Sequence, residues 1–145
     1  MHIEAERLLL RNFEEADADG LLAYLREPSA TCFASLRLRD LQEARDEARK
    51  RRRDDEYIAV CLKETGALIG DVFALPEGDT ASVGWNLNPE FGGRGYALEA
   101  AKALFEYLFE RAGMRRVYAY VEDHNLPSQR LCERLGMRRE GIFIQ

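Results

Sequence analysis

Cysteine is sparse in this chain: Cys32, Cys61 and Cys132 are the only three in 145 residues. Their odd number and wide spacing give neither a disulfide framework nor a metal-ligand pattern, so no metal is expected, and reduced thiols point to a cytoplasmic protein. Long apolar runs are also missing. None approaches the roughly 20 residues of a membrane helix, and Met1-His2-Ile3-Glu4 opens without the apolar core of a signal peptide. No repeat or low-complexity linker interrupts the chain, so residues 1–145 read as one domain. An excess of positive charge is lacking as well. The formal charge of −5 argues against a nucleic-acid partner and mildly favours cationic substrates such as amines. The one basic run, Arg49-Lys50-Arg51-Arg52-Arg53, follows Asp40, Glu43, Asp46 and Glu47. It reads as a solvated helix end whose cations suit the helix dipole.

What remains is a chain 46% hydrophobic and 32% charged, long enough to bury a real core. Arg7 to Leu10 reads as a strand. Glu14 to Leu25 reads as a helix with Ala18, Leu21, Leu22 and Leu25 on one face, ended by Pro28. Ala30 to Leu38 reads as a loop. A second helix runs from Asp40, an N-cap residue type, to about Arg53, with Leu41, Ala44 and Ala48 as its apolar stripe. Tyr57 to Leu62, Leu68 to Leu75 and Ala81 to Leu87 read as strands, separated by the turns Glu64-Thr65-Gly66 and Pro76-Glu77-Gly78-Asp79. They predict an antiparallel meander. A helix over about Ala97 to Arg111 follows, stopped by Gly113. Arg116 to Glu122 is apolar on both faces, which predicts a central strand. Pro127 to Leu135 predicts a helix ended by Gly136, and Arg139 to Gln145 the start of another strand. The order is that of a mixed α/β sheet with one parallel crossover.

That crossover carries the most informative residues, Asn88-Pro89-Glu90-Phe91-Gly92-Gly93-Arg94-Gly95-Tyr96-Ala97. A glycine-rich turn from strand to helix leaves backbone N–H groups unpaired, and the helix dipole adds partial positive charge there. Phosphate oxygens suit such a site. A nucleoside-triphosphate P-loop needs Gly-Lys-Ser/Thr, where this chain has Arg94-Gly95-Tyr96. A dinucleotide fingerprint needs a third small residue where Leu98 stands, and it belongs at the start of a βαβ unit rather than after a meander.

Gly92-Gly93-Arg94-Gly95-Tyr96-Ala97 resembles the [R/Q]-x-x-G-x-[G/A] coenzyme A loop of the GNAT acetyltransferase superfamily. Its continuation Ala97-Leu98-Glu99-Ala100-Ala101 is similar to the run found in the RimJ/RimL-like branch, which acetylates ribosomal-protein N-termini. Asn125-Leu126-Pro127-Ser128 with Leu131-Cys132-Glu133-Arg134-Leu135-Gly136-Met137 resembles that branch's N-x-x-S-x-x-L-x-x-x-L-G-F/M signature. Glu6-Arg7-Leu8-Leu9-Leu10-Arg11 is similar to its usual opening. The three matches span nearly the whole chain in the right order. Gly92 departs from the pattern, which has Arg, Gln or an aromatic there; one side-chain contact is lost and the backbone amides remain. Relatives also continue past Ile142 with a hairpin and a last strand. Here the C-terminal strand is apparently missing. Either the chain is a truncated form, or a partner chain, as in a homodimer, supplies the strand; otherwise a sheet edge lies open.

The resemblance implies a GNAT fold and direct transfer of an acetyl group from acetyl-CoA to a primary amine, on a protein N-terminus or a small molecule. Gly92, Gly93, Arg94, Gly95, Tyr96 and Ala97 would hold the pyrophosphate. The strand end Trp85-Asn86-Leu87 would splay from its parallel neighbour, with backbone groups at Asn86 and Leu87 pairing with the pantetheine arm and one amide on the thioester oxygen. Asn125 matches a cofactor-contacting position; by residue type it is equally a helix cap. Ser128 matches the serine that gives a proton to the thiolate; by type it is equally an early helix hydroxyl. Cys132 stands where other members have a tyrosine acid, and reads as a small hydrophobe. Glu90, Glu122, Asp123 and His124 are candidates for the general base, and Ser82 stands where many relatives have a carboxylate. An α-amino group, with a pKa of ~7.7–8.0, needs less of a base than a lysine. Tyr118 and Tyr120 would share one strand face, as core or as groove lining. A non-catalytic acyl-CoA-binding sensor is the alternative reading.

Overall fold

A computed structural model describes residues 1–26, 36–121 and 125–138 of the chain. Among these, six strands form one sheet in sequence order: β1 (His2–Glu4), β2 (Leu8–Arg11), β3 (Tyr57–Leu62), β4 (Leu68–Glu77), β5 (Thr80–Leu87) and β6 (Arg116–Tyr118). Neighbours are antiparallel up to β5, and β5 pairs parallel with β6. The helices are α1 (Ala18–Leu25), α2 (Leu41–Arg52), α3 (Tyr96–Glu110) and α4 (Leu126–Arg134).

Alternation along the strands divides the apolar side chains between two faces. One core gathers Leu8, Leu10, Ile58, Val60, Val72 and Val83 under Ala100, Leu104 and Leu108 of α3. The other gathers Ala59 and Cys61 under Leu21 and Leu25 of α1 and Ala44 and Ala48 of α2. This two-layer burial is why β3 is apolar at nearly every position. Asp40 caps α2 as expected, accepting from the Glu43 N–H at 2.9 Å.

Four expectations are corrected. β1 was not foreseen; three residues are too few to show a period, and it exists by pairing with β2. The first helix is broken. Glu15–Asp17 forms a 3₁₀ turn before α1, because the Asp17 carboxylate turns back to the Glu14 N–H at 2.8 Å and grips Arg11 at 2.8 and 2.9 Å. The basic run is not wholly solvated. Arg51 is only 1% exposed, its guanidinium 3.2 Å from Asp71 and 2.9 Å from Glu47, stacked over the rings of Tyr57 and Phe13. Last, β6 spans only Arg116–Tyr118 and does not continue through residues 119–121. The expected strand over residues 139–145 lies outside the described residues, as do the expected stop at Pro28 and most of the loop over residues 30–38.

Candidate functional site

β5 begins in register with β6 and then loses it. Thr80, Ala81 and Ser82 pair with Arg116, Val117 and Tyr118, and no pairing continues beyond. From Val83 to Leu87 the edge of β5 is therefore open among the described residues. Which main-chain groups face that opening follows from the hairpin. The Asn88 N–H donates to the Ile69 carbonyl at 2.7 Å, so its amide points to β4. Strand alternation then turns Asn86 and Gly84 towards β4, and Leu87, Trp85 and Val83 towards the opening. Of the residues expected to meet a pantetheine arm, Leu87 presents its main chain to the split. Asn86 instead pairs across with Asp71, and its buried side chain shares the α1/α2 face with that residue.

The glycine loop continues directly from this edge. Asn88, buried, accepts from the Glu90 N–H at 3.0 Å and starts a 3₁₀ turn over Pro89–Phe91. Gly93 and Gly95 both take left-handed backbone, with φ of 76° and 79°. Gly95 is the N-cap of α3 and supplies no side-chain cap. The first helical bond joins the Glu99 N–H to the Gly95 carbonyl, so the amides of Tyr96, Ala97 and Leu98 point out of a 15-residue helix. Gly92, Gly93, Arg94 and Gly95 are exposed, and a side chain added at Gly93 would meet only open space. An exposed helix terminus with uncapped amides fits a diphosphate.

One residue fastens the loop from behind. Arg7, in the connection between β1 and β2, donates to the Arg94 carbonyl at 2.9 Å and to Glu99 at 2.7 Å, and its guanidinium lies 4.4 Å from the centre of the Tyr96 ring. The Arg7 N–H also donates to Glu99 at 2.7 Å. Sequence reasoning noticed Arg7 only as part of an opening motif. No local pattern reveals a contact that spans 87 residues.

The first turn of α4 meets β5 at Trp85. Pro127 occupies an early helical position, where a missing N–H costs nothing. Asn125 is the N-cap, its side-chain oxygen accepting from the Ser128 N–H at 3.3 Å. Ser128 is half-buried, and its hydroxyl lies 3.3 Å from the indole nitrogen of Trp85. Leu131, one turn further along the same face of α4, is buried. The structure thus brings Ser128 against Trp85, two residues before Leu87 on the strand that leads into the glycine loop.

The remaining candidates are scattered. Glu90 is exposed beside the loop, Ser82 is half-buried at the last β5–β6 pair, and Glu122, Asp123 and His124 lie outside the described residues. The rings of Tyr118 and Tyr120 pack edge to face with centres 5.6 Å apart, Tyr120 being exposed. Cys132 is half-buried, and burial pushes its thiol up. Behind Asn86, the Asp71 carboxylate accepts from the Tyr24 hydroxyl at 2.6 Å and from Arg51. Burial raises both the Asp71 carboxyl and the Tyr24 phenol.

Comparison with known proteins agrees with this geometry. Residues 7–138 match the sequence profile described as "Acetyltransferase (GNAT) domain". The chain is 35% identical over 146 residues to "Uncharacterized N-acetyltransferase YnaD" of Bacillus subtilis (strain 168), covering 99% of this chain and 86% of that one. A solved GNAT-family acetyltransferase from Bacillus anthracis superposes with a TM-score of 0.88 at 32% identity, over 97% of this chain and 86% of that one. A Vibrio cholerae structure named "putative ribosomal-protein-serine acetyltransferase" gives a TM-score of 0.84 at 28% identity, over 97% and 85% of the two chains. Among the described residues, no helix is long and apolar enough to cross a membrane.

Proposed function

The chain belongs to the GNAT acetyltransferase family, and from that membership we propose that it moves an acetyl group from acetyl-CoA to the α-amino group of a protein N-terminus. The observation that carries the donor assignment is the uncapped start of α3, reached through the glycine loop from the end of β5 that no longer pairs with β6. In this reading the amides of Gly93 to Leu98 hold the diphosphate, with help from the helix dipole. The main chain of Trp85 and Leu87 aligns the pantetheine arm as an added strand would, and an amide there steadies the carbonyl oxygen. Acetyl-CoA supplies the activated acyl group. Holding it and the amine in one cleft contributes much of the rate through orientation. Ser128 keeps a proton within reach of the departing sulfur. Asn125 orders the α4 terminus that carries Ser128.

Two observations support an N-terminal amine as acceptor. The Vibrio cholerae relative is named a ribosomal-protein-serine acetyltransferase, an enzyme acting on a protein rather than on a small amine. In addition, the described carboxylates near the split are either exposed, as Glu90 is, or buried in ion pairs, as Asp71 is. An α-amino group, with a pKa of ~7.7–8.0, is partly neutral without a strong base, whereas a lysine at ~10.4 is not.

The test is thiol release from acetyl-CoA in the presence of peptides with free N-termini and of small amines, with the products identified by mass spectrometry. Acetylation at peptide N-termini is expected. Acetylation of small polyamines alone would overturn the acceptor assignment. Acetyl-CoA binding with no amine ever acetylated would leave the non-catalytic sensor as the function.

A further inference from the structure

We propose that Trp85 is the positioning residue that makes the Ser128 hydroxyl a proton donor; the inference rests on the acetyl-transfer reading above. Trp85 is the sole tryptophan of the chain. Its indole N–H can donate a hydrogen bond and cannot accept one. The 3.3 Å contact with Ser128 therefore has one polarity only: the serine oxygen accepts. A hydroxyl has one proton, and accepting from the indole leaves that proton for a different acceptor. The Ser128 N–H is itself held by Asn125, which fixes the main chain that carries the hydroxyl.

The placement of Trp85 makes the orientation useful. Its main chain faces the open edge of β5, while its side chain lies on the α3 face and reaches the first turn of α4. One residue thus borders the open strand edge with its backbone and holds a hydroxyl with its ring. In the transfer, the amine nitrogen bonds to the carbonyl carbon and the carbon–sulfur bond breaks with its electron pair on sulfur. The sulfur takes the Ser128 proton, and the proton given up by the amine returns to the serine oxygen.

A part-buried indole also needs a partner simply to be satisfied, so the test must separate chemistry from packing. A single tryptophan allows it to be replaced throughout the chain in an auxotroph by benzothienylalanine, which keeps the ring shape and lacks the N–H. Trp85→Phe is the simpler companion variant. The assay is thiol release from acetyl-CoA with the best peptide or amine of the panel. The isostere should lower kcat by roughly tenfold, a fraction of the hundredfold or more that a full general acid contributes, with the KM for acetyl-CoA and the Tm essentially unchanged. In a Ser128→Ala background the same replacement should have no further effect on kcat. An unchanged kcat, or a loss that persists without the serine hydroxyl, overturns the inference while the transferase reading stands. A wild-type protein that releases no thiol with any amine removes both.

Discussion

The guanidinium of Arg7 donates to the carbonyl of Arg94 at 2.9 Å, tying the connection between the first two strands to the rim of the glycine loop. The same group holds Glu99 in the first turn of α3 and covers the Tyr96 ring. A loop rich in glycine loses much conformational entropy when it is fixed. A carbonyl pinned outward keeps the following amides aimed into the cradle before any ligand arrives, which lowers the ordering cost of binding.

Arg7→Met should therefore weaken acetyl-CoA binding by roughly fivefold. The Tm should change little, since the side chain is 43% exposed and such ion pairs contribute little to folding. Arg7→Lys should restore little, because an ammonium cannot fork between Glu99 and the Arg94 carbonyl while stacking on Tyr96. Calorimetric titration of the variants, set beside thermal melts, checks both statements.

Gly95 has φ of 79° and caps α3, and a Cβ there would stand 3.4 Å from Arg7 Nη2. Gly95→Ala should cost on the order of 1–2 kcal/mol from the left-handed backbone alone. Gly95→Glu should abolish acetyl-CoA binding, because a carboxylate enters a cradle built for phosphate oxygens. A melt shows the first effect and a titration the second; tight binding by the glutamate variant would move the diphosphate elsewhere.

The Arg51–Asp71 pair, each side chain 2% exposed, joins α2 to the strand opposite Asn86. Asp71→Ala strands a buried guanidinium and should destabilise the fold by about 3–5 kcal/mol. Denaturant unfolding measures this. Glu47 alone can offset only part of the loss.

Burial pushes the Cys61 thiol up to about 11. At pH 8 its thiolate fraction is then on the order of one part in a thousand, and the residue is 1% exposed. Iodoacetamide should leave Cys61 unmodified in the folded protein, and modify it once urea unfolds the chain. Peptide mapping by mass spectrometry reads the site directly.

Much of this arrangement was legible from local pattern. Tyr57–Leu62 matches its expected bounds, and the Asp40 cap and the glycine loop leading into α3 are where the residue types put them. Periodicity, cap chemistry and glycine at left-handed positions act within a few residues, so a sequence displays them. What it concealed depends on distant partners. Arg51 looks like one of five cations in a row, and only folding sets it beside Asp71 and two rings. Arg7 and Trp85 likewise take their meaning from residues 94 and 128. The apolar run from Arg116 promised a long strand, but β6 stops at Tyr118, where its pairing with β5 ends.

The most direct measurement is a calorimetric titration of the wild-type chain with acetyl-CoA, beside acetyl-phosphopantetheine, which lacks the diphosphate. Saturable one-to-one binding of acetyl-CoA, at least tenfold tighter than the truncated thioester and lost in Gly95→Glu, is the result expected of a diphosphate held at the start of α3. Absence of heat with acetyl-CoA, or equal affinity for the two molecules, would contradict it.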